Sequence, residues 1–355
     1  MFAVTGDGVR GRPDLLRLIG ATPVVALPAG LGLDYLAKLE SHGVGGMKAR
    51  AAVAMLTAAI GRGELAPEAP VIESTSGTLG VGLALAGKAL GHPTVLVVDD
   101  ALEPEMRALF AAYGVRLEVV TRPHPVGGWQ QARLDRLAEL LAATPGAYWP
   151  DQYNNPDNAR GYAGMALEIV RQVESVDVLV VSVGTGGHSA GLAAALRPHW
   201  PRLRIIGVDS VGSRIFGQPA RARLMRGLGS SILPRNVAYA TFDEVHWVGP
   251  TEAAASCREL AGATTIAGGW STGATALVAA WAARREPSAR VLTVFPDGPM
   301  RYLRTIYDDR WCAEQGIDGA PVTHPVEIGS SERVEVRGWA RCRAVADPRT
   351  CEVPA

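Results

Sequence analysis

Apolar, β-branched runs alternate with stretches of helical periodicity along most of this chain, and that alternation restricts the fold to parallel α/β layers. The strand-like runs are Pro70–Glu73, Thr94–Val98, Leu117–Val120, Val178–Val183, Arg204–Val208 and Arg290–Phe295. Spacing of apolar residues predicts helices over Met47–Arg62, Thr78–Leu90, Glu103–Tyr113, Gly128–Ala142, Ala159–Glu174 and Ser271–Arg285. Gly91-His92-Pro93 reads as a helix stop before a strand. From about residue 316 onward Gly, Pro, Ser and Arg accumulate and periodicity fades, so residues 316–355 read as a peripheral extension, disordered in part.

Charge and cysteine usage exclude several classes. Lys plus Arg and Asp plus Glu are 35 each, so the net charge is zero and no basic field favours nucleic acid or an anionic membrane. No apolar run is long enough to span a bilayer, and residues 1–12 lack the apolar centre of a signal peptide. Cys257, Cys312, Cys342 and Cys351 form no zinc-like pair. A reduced cytoplasm is the expected compartment, with no metal, nucleic-acid or membrane partner. Cys342 and Cys351 could pair after isolation, although free thiols are the commoner state there.

Lysine is scarce. Only Lys38, Lys48 and Lys88 stand against thirty-two arginines, so imine chemistry has three candidates. Lys48 follows Gly45-Gly46-Met47 on a turn before a helical run, a placement that can reach a cleft. Two strand-to-helix turns suit anions. Gly184-Thr185-Gly186-Gly187-His188 offers converging N–H groups at a helix N-terminus, the arrangement that binds phosphate. Ser74-Thr75-Ser76-Gly77-Thr78-Leu79 is crowded with hydroxyls and suits a carboxylate, or else caps the helix that follows. A nicotinamide-binding unit is the rival reading, since Asp209 ends the next strand. Its expected third glycine is Ser189, however, and it leaves Lys48 without a role.

Taken together, the motifs resemble the cysteine synthase and cystathionine β-synthase family of fold type II pyridoxal-phosphate enzymes. The resemblance runs in order through Ile19–Val25, Met47–Arg50, Ser74–Gly80, Asp151–Pro156, Gly184–Gly187, Gly227–Pro234, Gly269–Ala274, Pro296–Gly298 and Arg301–Leu303. It implies two three-layer α/β/α domains with pyridoxal 5′-phosphate in the cleft between them, usually as a homodimer. The implied division is an N-terminal segment (1–42) packing mostly on the large domain, a smaller mobile substrate-binding domain (43–155), a larger cofactor-binding domain (156–315) and the extension (316–355). Lys48 is then the Schiff-base lysine. Gly184, Thr185, Gly186, Gly187 and His188 cradle the phosphate, Ser271 meets the pyridine nitrogen, and Thr78 lies by the cofactor hydroxyl. Thr75, Ser76, Gly77, Thr78, Leu79 and Gln152 hold the substrate α-carboxylate, with Gly227 nearby. For Ser271, capping of its own helix is the alternative.

Departures from the family pattern narrow the activity. Its usual Asn-Thr pair is Thr78-Leu79, its Lys-Asp-Arg triplet is Lys48-Ala49-Arg50, and His188 replaces a threonine. Arg226 stands eight residues before Pro234, where relatives using O-phosphoserine place an arginine against the substrate phosphate. A surface arginine, with Arg221 and Arg223 close by, is the alternative. Glu73–Ala86, Pro123–Arg133, Asp151–Asn158, Gly184–Gly191, Gly212–Ser231 and Phe242–Trp247 are most similar to the actinobacterial S-sulfocysteine synthases, which condense O-phosphoserine with thiosulfate. The expected activity is β-replacement on O-phospho-L-serine by a sulfur nucleophile. Its rivals are O-acetylserine sulfhydrylase, a β-eliminating lyase or dehydratase, and an inactive regulatory protein.

Overall fold

The computed structural model describes residues 15–75, 77–330 and 335–350. In chain order the elements are β1 (Val24–Ala26), β2 (Leu36–Leu39), α1 (Lys48–Gly61), β3 (Val71–Ser74), α2 (Thr78–Leu90), β4 (Thr94–Asp99), α3 (Pro104–Ala112), β5 (Arg116–Val120) and α4 (Gly128–Ala143). There follow α5 (Asp157–Arg160), α6 (Ala163–Gln172), β6 (Val178–Ser182), α7 (Gly187–Leu196), β7 (Arg204–Ser210), β8 (Glu244–Val248), α8 (Pro250–Thr264) and α9 (Trp270–Arg285). The chain continues through β9 (Val291–Phe295), α10 (Asp309–Glu314), β10 (Val326–Glu327) and β11 (Trp339–Cys342).

These strands build two sheets. The smaller is β3-β4-β5, all parallel, with Ile72 N–H donating to the Tyr148 carbonyl (2.9 Å) at its edge. The larger is ordered β1-β2-β9-β6-β7-β8-β11-β10, with parallel pairing from β2 through β8. Continuous apolar strands such as β6 and β9 are buried on both faces, as helix-covered parallel sheets require. Gly91 ends α2 in the left-handed conformation, its N–H on the Gly87 carbonyl (2.7 Å), so the stop read at Gly91-His92-Pro93 is where the helix closes.

Within the extension, the stretch around Trp339–Cys342 is not peripheral. β11 pairs antiparallel with β8, and Trp339 and Cys342 are fully buried. The composition shift hid this because β11 is only four residues long, below the length at which alternation shows. Cys257, Cys312 and Cys342 are buried free thiols; the Cys342–Cys351 pairing involves a residue outside the described set. Among the described residues no helix is long and apolar enough to cross a membrane.

A buried ion network ties the start of α1 to the large sheet. Arg50 grips Glu40 with Nε and Nη2 (2.7 and 2.8 Å) and Glu168 with Nη1 and Nη2 (2.9 and 2.8 Å). Lys38 Nζ donates to Glu168 Oε2 (2.7 Å) and to the Thr22 carbonyl (2.6 Å). Two cations at Glu168 overcome its partial burial and hold its carboxyl down at about 2. Arg50 lies two residues beyond Lys48, so the network fixes the helix end that presents that lysine.

Candidate active site

Lys48 is the first residue of α1, reached through a turn that needs glycine. Gly46 has φ +63°, and a Cβ there would lie 2.6 Å from the Pro296 carbonyl oxygen. Met47 N–H donates to that same oxygen (2.8 Å), which seals the turn against the end of β9. Of the other lysines, Lys38 is committed to Glu168 and Lys88 is exposed near the end of α2. Burial lowers the Lys48 ammonium below its ordinary value; Asp297 opposes that shift and Arg301 adds to it. A lysine so placed gives up its proton more readily than a surface lysine.

The glycine turn after β6 leads into α7, whose N-cap Gly186 is in the left-handed region and makes no side-chain cap bond; the first N–H groups of a helix have no intrahelical partner and favour an anion. A Cβ at Gly187 would lie 2.0 Å from Asn158 Oδ1, so no other residue fits. Asn158 braces the turn, donating to the Gln152 carbonyl (2.7 Å) and to Thr185 Oγ1 (3.3 Å). His188 is buried with its ring edge-on to Tyr162, and its Nε2 has no partner among the described residues. Burial, with the Lys48 charge beside it, holds the imidazole neutral, down to about 3.

Ser271 is the second residue of α9, whose N-cap is Gly269. Its hydroxyl therefore is not the helix cap. A Cβ on Gly227 would sit 3.5 Å from Ser271 Oγ, and one on Gly184 would sit 3.3 Å from the Gly227 carbonyl oxygen. The phosphate-type turn, the 227 loop and Ser271 thus converge on one spot.

The turn after β3 is similar in design. Its N-cap is Gly77, with no side-chain cap, and Thr75 Oγ1 accepts the Gly77 N–H (3.2 Å). The Thr75 hydroxyl therefore shapes the loop and does not cap α2. Ser76 lies outside the described residues. Thr78 opens α2, whereas the Leu79 side chain is buried in the main core among Met47, Leu83 and Phe110, leaving only its N–H to act in the cleft. Gln152 is also turned inward: its Nε2 donates to the Ser74 carbonyl (2.9 Å), bracing the loop from beneath.

Two further groups frame the cleft. Arg226, about one-third exposed, lies 3.8 Å from the buried Asp99, whose other oxygen is bound by Arg133. Arg133 Nε also reaches Ser74 Oγ (3.4 Å). Opposite, Arg301 Nη1 sits 2.8 Å from where a Gly77 Cβ would be, and Nη2 binds both Glu103 oxygens (3.0 and 3.1 Å). Asp297 accepts the Tyr302 hydroxyl (2.8 Å) on Oδ2, and burial raises its carboxyl.

A sequence profile of the family described as pyridoxal-phosphate dependent enzymes matches residues 15–297. The chain belongs to that family. Curated relatives include the N-(2-amino-2-carboxyethyl)-L-glutamate synthases of Cupriavidus metallidurans and Ralstonia nicotianae. They are 37% and 36% identical, over 84% and 83% of this chain and 91% and 89% of theirs. Among solved structures, the O-acetylserine dependent cystathionine β-synthase of Helicobacter pylori superposes with a TM-score of 0.76 at 29% identity, covering 82% of this chain and 97% of its own. A variant of O-ureido-L-serine synthase bound to O-ureido-L-serine gives 0.75 at 28%, covering 86% and 99%. The protein is therefore a fold type II pyridoxal-phosphate enzyme of the β-substituted alanine synthase kind, with two α/β domains and pyridoxal 5′-phosphate as cofactor.

The residues present fit that pyridoxal-phosphate group. Lys48 is the one lysine at the cleft among the described residues, Gly186 and Gly187 of the turn have no room for a Cβ, and His188 Nε2 is an unpaired polar atom beside it. The nicotinamide reading fails on geometry. Asp209 is fully buried and accepts the Ser210 N–H (2.8 Å), so its carboxylate cannot reach a ribose in solvent. Asp99, Arg133, Asp297 and Arg301 had no role from sequence. Asp297 and Arg301 lay inside quoted motifs, but nothing local signals a contact between Arg301 and a loop more than two hundred residues earlier.

Proposed function

We propose that the enzyme replaces the phosphate of O-phospho-L-serine with a nucleophile, and the observation that carries this is the arginine pair on Asp99. Two guanidinium groups share one carboxylate, leaving a positive charge uncompensated at a partly open position. A phosphate dianion meets that excess with charge-assisted hydrogen bonds, while a neutral acetyl ester does not. The α-carboxylate would be held by N–H groups of the Thr75–Leu79 loop, which Gln152 keeps in shape. Ser271 would meet the pyridine nitrogen, a neutral partner that leaves the ring unprotonated.

Bound pyridoxal phosphate supplies the electron sink that makes the substrate Cα–H acidic. Lys48, its basicity tuned by burial, takes that proton as general base. The Cβ–O bond breaks, phosphate leaves with the electron pair, and Arg226 stabilises the charge that develops. The nucleophile then bonds to Cβ, a glutamate amine giving up one proton to solvent as it does so and thiosulfate none, and Lys48 returns the proton to Cα.

Two nucleophiles are supported by specific observations. The names of the relatives at 37% and 36% identity describe a product in which glutamate nitrogen carries the new three-carbon unit, and on that ground L-glutamate is the first choice. The motif resemblance to S-sulfocysteine synthases supports thiosulfate as the second. Both are anions, suited to a cleft rimmed by Arg133, Arg226 and Arg301. Mass spectrometry of products from O-phosphoserine with each nucleophile discriminates them: the glutamate adduct supports the first reading, S-sulfocysteine the second, and pyruvate alone would refute both. Arg226→Gln is expected to raise KM for O-phosphoserine roughly tenfold or more, by loss of a charge-assisted bond. An equal rise in KM for O-acetylserine would remove Arg226 from this role. We also expect a homodimer, which light scattering of the purified protein will check.

A further inference from the structure

The segment 211–243 joins β7 to β8 with no α-helix or strand of its own, only a short 3₁₀ turn at Tyr239–Thr241. Connections this long are uncommon in compact domains unless they have a task. This one carries Arg226 and Gly227 to the cleft, and it packs Val237 where a side chain on Gly186 would otherwise be. It is tied to neighbouring segments by Gly229 N–H on the Val183 carbonyl (2.7 Å), Ser231 N–H on Gln130 Oε1 (3.1 Å) and Asn236 N–H on the Tyr153 carbonyl (3.2 Å).

It is also held by the chain's C-terminal part. Arg221 Nη1 pairs with Glu335 (2.7 Å) and its Nη2 donates to the Val336 carbonyl (2.8 Å). At the far end of the segment Arg349 Nη2 donates to the Val237 carbonyl (3.4 Å), and its guanidinium lies 4.7 Å from the centre of the Tyr239 ring. The Tyr239 hydroxyl passes the hold on to the Ile215 carbonyl (2.7 Å). Residues 335–350 are themselves anchored. β11 adds to β8, fully buried Trp339 donates Nε1–H to His246 Nδ1 (2.9 Å), and Arg341 stacks over Trp281 (4.9 Å). These residues lie beyond the 15–297 that match the family profile.

We propose that residues 335–350 form a strap that sets the position of the 212–239 loop, with Arg221 and Arg349 as positioning residues for binding of the phosphorylated donor. The strap grips the loop at Arg221 and again at Val237 and Tyr239, on either side of Arg226 in the chain, so the guanidinium of Arg226 reaches its place beside Asp99 without a search. In kinetic terms the strap acts on donor binding through Arg226, and that part rests on the role proposed above for Arg226.

The test uses the full-length holoenzyme with Arg221→Ala, Arg349→Ala and Arg221→Lys, the first two also combined with Arg226→Gln. Coupling through Arg226 predicts that each alanine variant raises KM for O-phosphoserine roughly fivefold, leaves kcat within about twofold, and adds little once Arg226 is already glutamine. Arg221→Lys should recover part of the loss. Additive effects in the double variants, or an unchanged KM, would overturn the proposal. Hydrogen exchange of the 212–239 segment, read without any donor, separates the strap from the donor assignment. Faster exchange there in the alanine variants supports the strap even if wild type ignores O-phosphoserine, and unchanged exchange sinks it.

Discussion

Glu73 offers a prediction whose sign is unusual for a carboxylate. It lies next to the last residue of β3, just before the Thr75–Leu79 loop, 1% exposed, and accepts N–H bonds from Ser74 (2.8 Å), Gln152 (3.1 Å) and the Trp149 indole (3.2 Å). Those bonds favour the charged form, yet burial outweighs them and the carboxyl is pushed up from 4.5 to about 8. Between those values the folded state holds one more proton than the unfolded chain. The Glu73 contribution is therefore fully present below the unfolded value and is lost as pH rises toward the folded one. The slope is ~1.4 kcal/mol per pH unit, so about 3 kcal/mol disappears between roughly pH 5 and pH 7. Glu73→Gln keeps the shape and removes the titration. Urea unfolding of both proteins across that range should show the wild type losing stability relative to the variant as pH rises. Parallel curves would refute the reasoning, because all other titrations are common to the two proteins.

Three further outcomes follow from the same structure. Lys48→Ala is expected to abolish turnover and covalent retention of the cofactor after dialysis; wild-type activity would exclude Lys48 as the imine lysine. Trp339→Ala should cost about 3–5 kcal/mol, the usual loss for deleting a fully buried indole, and denaturant unfolding will measure it. A loss below about 1 kcal/mol would mean that β11 is not docked as described. Glu168→Gln should flatten the acid limb of stability, because the carboxyl held down at about 2 loses its contribution as pH falls from its ordinary value near 4.5 toward 2.

The sequence was most legible where local physics decides. The α2 range is predicted without error, since the Gly77 turn and the Gly91 stop bracket one apolar run. Buried strands β6 and β9 announce themselves as mostly apolar, β-branched runs, and the α/β class follows from their alternation with helices. β11 did not announce itself, because Trp339 and Cys342 belong to a short strand whose place depends on β8, far back in the chain. The site shows the same division. Lys48 and the Gly184–Gly187 turn are local signals, readable from residue type and spacing. Leu79 and Gln152 show the limit: the motif identifies the loop, but only packing reveals that one side chain points into the core and the other braces Ser74. Arg301 and Arg133 reach the cleft through contacts between distant segments, and no pattern in a single sequence encodes such contacts.

The proposed donor for β-replacement at this pyridoxal-phosphate site is a phosphorylated serine. The most direct measurement follows the visible absorption of the holoenzyme together with phosphate release as O-phospho-L-serine is added, then L-glutamate, then thiosulfate in a parallel sample. The expected result is a spectral shift with release of one phosphate per site, followed by return of the original spectrum and continued turnover when the productive nucleophile arrives. A holoenzyme that stays unchanged with O-phospho-L-serine yet responds to O-acetyl-L-serine would contradict it.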